Sequence, residues 1–232
     1  MTTFVLVHGA WHGGWAWRPV AARLEAAGHR AVSPTLTGLG ERAHLISRQV
    51  NLATHIEDVA ATLRCEELRD VVLVGHSYAG MVITGVASRE FERIARLVYY
   101  DAFLPDDGQS ALDLLPPDIG RHFTESAAEH GDGWLMPRRP VEPLGVRSPE
   151  AKAWLERRLV PHPLATYLDK LRFDPRVRLL PSSYISCTDW AGVFRPQAEK
   201  ARGLGWPVHE IAADHEALAT APGVLARALL DT

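Results

Sequence analysis

The chain has 232 residues, 47% of them hydrophobic and 23% charged, with a formal net charge of -3; such proportions suit one domain with a large core and exclude wholesale disorder or a collagen-like repeat. There is no basic excess to neutralise a phosphate backbone, and no apolar stretch reaches the ~20 residues of a membrane span, so neither nucleic acid nor a bilayer is an expected partner. Two distant cysteines, Cys65 and Cys187, and an N-terminus that runs straight into a strand-like segment predict a soluble, cytoplasmic protein.

Taken in chain order, short apolar runs alternate with longer helical patterns. Residues 4–7 form the first run, 29–32 a weaker second, 71–74 a strong third and 96–100 a fourth, with 183–187 and 208–211 following late in the chain. Unbroken apolar runs suit parallel strands covered on both faces. Between them, Val20, Leu24 and Ala27 share a helical face that stops at Gly28. Leu52, Ile56, Val59 and Leu63 make a stripe behind Asn51, a candidate N-cap. Pro222 would open a last helix whose inner face is Leu225, Ala228 and Leu229. The alternation predicts an α/β domain with a mostly parallel sheet of about six strands.

Residues 105–174 break the rhythm. They carry no strand signal and are punctuated by prolines from Pro116 to Pro163. Seventy residues are too many for a bare loop, so helical fragments at 151–159 and 164–171 predict an inserted helical cap between core segments 1–104 and 175–232.

Chemistry concentrates after the strongest strand. The run Gly75-His76-Ser77-Tyr78-Ala79-Gly80 reads as a nucleophile elbow of the G-x-S-x-G type, in the strand–turn–helix setting that this motif needs. A tight turn there demands small flanking residues and leaves the Ser77 hydroxyl clear at the carboxyl end of the sheet. A serine hydroxyl attacks only with a general base beside it. His215 is the candidate: it follows the last strand and precedes the final helix, and an order of serine, acid, then histidine is what an α/β-hydrolase arrangement expects. The loop His8-Gly9-Ala10-Trp11-His12-Gly13-Gly14 follows the first strand. Its Ala10 amide, together with that of Tyr78, is the expected oxyanion-hole pair.

The segments FVLVHGAWHGGWAW, GHSYAG and ADHEALATAP together resemble the α/β-hydrolase superfamily. The likeness is strongest to the branch of plant methylesterases, hydroxynitrile lyases and small bacterial esterases of carbamate and pyrethroid type. The resemblance implies an α/β-hydrolase fold and cleavage of a small carboxylic ester, with carbamates or activated amides as the wider range. The acid is where the chain departs from it. In that family the acid usually follows the penultimate strand, where the plant relatives' position falls on Ala191 and Asp189 lies two residues earlier. Asp101 ends the strand after the elbow, the origin of the acid in haloalkane dehalogenases. A strand-end aspartate behind an aromatic run is the better candidate for burial beside an imidazole, so Asp101 is preferred, with Asp189 the alternative and Asp214 third.

Trp11 and Phe103 are expected in the substrate pocket, with Leu114 and Phe123 as further apolar walls favouring aromatic or bulky substrates. Trp15 and Trp17 read as core. The pairs Arg138-Arg139 and Arg157-Arg158 read as solvated surface. No metal-ligand cluster or phosphate-cradling loop is present, so no cofactor is expected, and the protein is expected to be a monomer or homodimer. Two other functions fit the framework. One is a small-molecule receptor with little turnover, kept open by Ala191 at the usual acid position. The other is a hydroxynitrile lyase, disfavoured because that family's oxyanion-loop threonine and its lysine after the histidine are replaced here by Ala10 and Glu216. A dehalogenase would need a carboxylate where Ser77 stands.

Overall fold

The structure, a computed structural model, describes residues 1–190 and 192–232. Ala191 therefore lies outside the described residues. Six parallel strands form the central sheet: β1 (Thr3–Val7), β2 (Arg30–Val32), β3 (Val71–His76), β4 (Ile94–Tyr100), and, later in the chain, β7 (Ser182–Cys187) and β8 (Val208–Ile211). Their order is β2-β1-β3-β4-β7-β8. Every residue of β3 is buried, which explains why its sequence is an unbroken apolar run rather than an alternating one.

Helices α1 (Arg18–Ala26), α2 (Leu52–Cys65), α3 (Ala79–Arg89), α7 (Arg195–Gly203), α8 (Ala217–Thr220) and α9 (Pro222–Leu230) belong to the sheet-forming portions. The sequence cues for their ends hold. Gly28 takes φ 84° just past α1, and Pro222 stands in the first turn of α9. Asn51 caps α2, its side-chain oxygen accepting from the Thr54 N–H while the Thr54 hydroxyl accepts from the Asn51 N–H, so two otherwise orphaned donors are satisfied reciprocally.

Residues 105–174 contain α4 (Pro117–His130), α5 (Pro149–Glu156), α6 (Ala165–Leu168) and two two-residue strands, β5 (Leu135–Met136) and β6 (His162–Pro163), paired antiparallel. Two expectations need correcting here. The segment has strands, too short to leave a periodic signal, and its longest helix is α4, which the fragments singled out from the sequence did not include. Only Gly120, Phe123 and Ala127 of α4 are buried, a stripe too thin to show in the sequence.

Candidate active site

β3 and β4 run side by side with Gly75 opposite Tyr99 and His76 opposite Tyr100. The residue following each strand is therefore delivered to the same edge of the sheet, and those residues are Ser77 and Asp101. Both are left-handed, with φ 56° and 40°, a costly backbone state for a non-glycine residue that persists only where the surroundings enforce it. The enforcement is visible: the Ser77 N–H donates to the Tyr100 carbonyl at 3.2 Å, and the Phe103 N–H donates to the Ser77 carbonyl at 3.1 Å.

Glycine is required at Gly75 and Gly80, where a Cβ would lie 2.8 Å from the Ala79 carbonyl oxygen and 1.9 Å from that of Phe103. The intervening fifth position holds Ala79, so the elbow is G-x-S-x-A followed by glycine, a departure from the G-x-S-x-G reading. Across the sheet, Val7 pairs with Gly75, which brings the loop after β1 against the elbow. A Cβ on Gly9 would sit 3.0 Å from the Ser77 Cβ.

His215 reaches the same edge from the loop after β8. Its Nδ1–H donates to Asp101 Oδ2 at 2.7 Å, with His215 3% and Asp101 2% exposed. Nε2 is thus the nitrogen left unprotonated in the neutral ring. The Trp190 indole N–H donates to the same Asp101 oxygen at 3.0 Å. Phe194 stacks on the imidazole at 5.2 Å and 12°. The main chain of His215 is held as firmly: its N–H donates to the Leu144 carbonyl, and its carbonyl accepts from the Tyr100 hydroxyl at 2.8 Å and from His76 Nε2 at 3.0 Å. Asp189, the alternative acid, is exposed and contacts the Thr188 hydroxyl. Asp214 accepts from the Glu216 N–H and the Thr220 hydroxyl. Of the three carboxylates weighed, Asp101 alone is hydrogen-bonded to the His215 ring.

Ser77 and His215 line one cavity of about 770 Å³, its mouth included. Ala10, Trp11 and Phe103 line it as expected, and Leu115 and Phe123 do so from the inserted segment, Leu115 in place of Leu114. Tyr78 is fully buried. Its hydroxyl lies 3.0 Å from His55 Nδ1, and its ring stacks on Tyr167 at 5.4 Å. Neither the Ala10 nor the Tyr78 N–H has a protein acceptor among the described residues. Trp15 and Trp17 are buried in the core.

The sequence did not single out the other groups that shape the cavity. His162 on β6 accepts the Trp11 N–H at Nδ1 (3.2 Å) and donates from Nε2 to the Thr166 hydroxyl, fixing its tautomer. The Trp11 carbonyl accepts from the Val160 N–H at 3.0 Å, and Trp11 is itself left-handed with φ 66°. The inserted segment thus clamps the loop after β1 through the peptide groups on both sides of Trp11.

Burial depresses the pKa of the surrounding histidines: His8 to about 3, His55 to about 4, His76 and His162 well below the usual value. For His76 the neighbouring His215 adds to that effect. His12 is the exception. Burial opposes its charge, but the Glu216 carboxylate 3.2 Å away outweighs burial and raises its pKa. The same pairing, against an opposing desolvation, holds fully buried Glu216 at about 2. His12 Nδ1 also lies 2.7 Å from the Ala10 carbonyl, to which it donates.

His76, His215 and Glu216 present potential ligand atoms within 4.8 Å of one another. The His215 ring is already engaged by Asp101 and Glu216 by His12, so hydrogen bonding and charge pairing account for this cluster. Arg139, expected at the solvated surface, lines the cavity instead. Cys65 and Cys187 are both free thiols, and no helix among the described residues is long and apolar enough to cross a membrane.

A sequence model of the alpha/beta hydrolase family matches residues 4–228. The chain is 44% identical to the carbendazim hydrolyzing esterase of Nocardioides sp. (strain SG-4G), over 99% of its own length and 98% of that protein's. It is 29% identical to salicylic acid-binding protein 2 of Nicotiana tabacum, over 98% and 95% of the two lengths. Among solved structures, an extracellular alpha/beta-hydrolase from a Paenibacillus species superposes with a TM-score of 0.88 at 26% identity, covering 100% of this chain and 98% of that one.

Proposed function

Because the chain belongs to the alpha/beta hydrolase family, we propose that it is a serine hydrolase that cleaves a small carboxylic ester through an acyl-enzyme on Ser77. The observation that carries the reading is the 2.7 Å contact of His215 Nδ1 with Asp101, which leaves Nε2 as the basic nitrogen in a cavity that the left-handed Ser77 also lines. In this mechanism Nε2 takes the Ser77 proton as the oxygen attacks the ester carbonyl, and Asp101 stabilises the imidazolium that forms. The tetrahedral oxyanion accepts hydrogen bonds from the Ala10 and Tyr78 N–H groups, both without a protein acceptor among the described residues. His215 then returns the proton to the departing alkoxide, and water repeats the sequence on the acyl-enzyme. Carbamates and activated amides fall within the same chemistry. The 44% identity to an esterase named for hydrolysing carbendazim supports ester-type cleavage, and the aromatic wall of Trp11, Phe103 and Phe123 supports an aromatic or bulky apolar substrate.

The test is covalent. A neutral fluorophosphonate should label Ser77 stoichiometrically, and p-nitrophenyl acetate should give a burst followed by steady turnover, both abolished in Ser77→Ala. Absence of a label at Ser77 removes the mechanism. A binding-protein reading is favoured by the likeness to a protein named for binding salicylic acid. It would show at most one slow equivalent of nitrophenol. Cyanohydrin cleavage fits poorly, since the position after His215 carries Glu216, a carboxylate that would repel cyanide.

A further inference from the structure

We propose that Arg139 makes this cavity selective for ligands that carry a planar anionic group, an aromatic carboxylate above all. The inference rests on the cavity being the substrate site of the esterase just described, and it names what that site recognises.

Arg139 stands between two prolines, in Pro137-Arg138-Arg139-Pro140, just after β5. Pro140 restricts the backbone of the residue before it, Arg139, to extended conformations. The guanidinium carbon lies 5.8 Å from the centre of the Trp11 ring and 5.7 Å from that of Phe123. Both rings belong to the cavity wall, which Arg139 itself lines. Burial works against its charge and lowers its pKa, with Tyr167 and Glu216 acting in the opposite direction. An arginine keeps its proton regardless.

Among the described residues, no carboxylate comes within ion-pair range of Arg139 and no protein oxygen accepts one of its N–H groups, and the side chain is only partly buried. The other charges at the site are already matched. Glu216 faces His12, Asp101 is taken up by His215 and Trp190, and burial holds His76 neutral. Arg139 is thus a half-buried cation set against two aromatic faces, with a five-donor fork and no counter-charge. Its position on the cavity wall leaves the fork free to take up an anion, and that fork matches a carboxylate with two parallel hydrogen bonds. The flanking rings supply apolar faces against which a planar ligand can lie.

A purely structural reading is available: the guanidinium could brace α4 against the loop after β1 through its two ring contacts. The two readings separate by charge. The probes are 4-methylbenzoate and its neutral analogue 4-methylbenzamide, as competitive inhibitors of p-nitrophenyl acetate hydrolysis. For the native protein we expect the carboxylate to inhibit at least tenfold more tightly than the amide, with added salt weakening only the carboxylate. In Arg139→Gln the ratio should fall to about one, and Arg139→Lys should restore part of it. A brace alone would weaken both inhibitors together and leave the ratio intact. That result, or the absence of any carboxylate preference in the native protein, overturns the proposal. If p-nitrophenyl acetate is not turned over and Ser77 takes no phosphonate, the esterase reading fails by itself, and calorimetric binding of the same two probes still decides the role of Arg139.

Discussion

Asp101 illustrates how a single side chain acquires a role from its surroundings. Its Oδ2 accepts from both the His215 ring and the Trp190 indole, while the Cys187 N–H approaches Oδ1 at 3.5 Å. Replacing it by asparagine keeps the shape but puts an N–H donor where the imidazole needs an acceptor, which favours the wrong tautomer. Asp101→Asn should therefore lower kcat by about 10⁴ while leaving KM for a neutral ester within a few-fold. Asp189→Asn should change neither. Steady-state kinetics of the two variants checks this directly, and equal losses in both would refute the assignment. The residue scale also explains why eleven histidines in the chain did not confuse the chemistry. Burial keeps His8, His55, His76 and His162 neutral, so they serve as hydrogen-bonding posts. Their roles were invisible in the sequence, because a histidine's tautomer depends on partners as distant as the 151 positions between Trp11 and His162.

At the scale of elements, the elbow between β3 and α3 was legible from local chemistry alone. A strongly apolar strand, two glycines and a serine admit few backbone paths, and Gly80 against the Phe103 carbonyl shows why. β6 is the opposite case. Two residues, His162 and Pro163, carry no periodicity, yet this strand supplies the acceptor for the Trp11 N–H. His162→Leu would leave that N–H buried and unsatisfied, at a cost of about 1–3 kcal/mol. It would also free the peptide between Trp11 and Ala10. We expect a lower midpoint of thermal unfolding together with a fall in kcat of about tenfold, larger than the change in KM. An unchanged kcat would show that the loop after β1 holds its shape without the clamp. The cavity-facing stripe of α4 was illegible for a similar reason: Phe123 is its one large buried apolar side chain, and its partners Trp11 and Tyr167 come from remote parts of the chain.

For the whole molecule, the ion pair of His12 with Glu216 joins the loop after β1 to the loop after β8. His12 has its pKa raised from 6.5, so its share of the stability is complete below about 6.5 and is lost as pH rises through the raised value. Glu216 has its pKa lowered from 4.5 to about 2, so its share is complete above about 4.5 and is lost as pH falls toward 2. Glu216→Gln leaves a buried imidazole without its counter-charge, which should destabilise by about 3 kcal/mol. The gap in unfolding midpoint between native protein and variant should be widest between about pH 4.5 and 6.5 and narrow on either side. A gap independent of pH would mean that the pair is not ionised. Composition, strand runs, the elbow and the late histidine were properties of short stretches, each under the control of backbone sterics and apolar patterning, so the amino-acid order by itself determined the fold class and pointed to two residues, Ser77 and His215, that line one cavity. The meeting of Asp101 with His215, the clamp on Trp11 and the turning of Arg139 into the cavity were decided only by tertiary structure. Each depends on the register of neighbouring parallel strands or on the docking of the inserted segment, and such long-range placements leave no periodic trace in the chain.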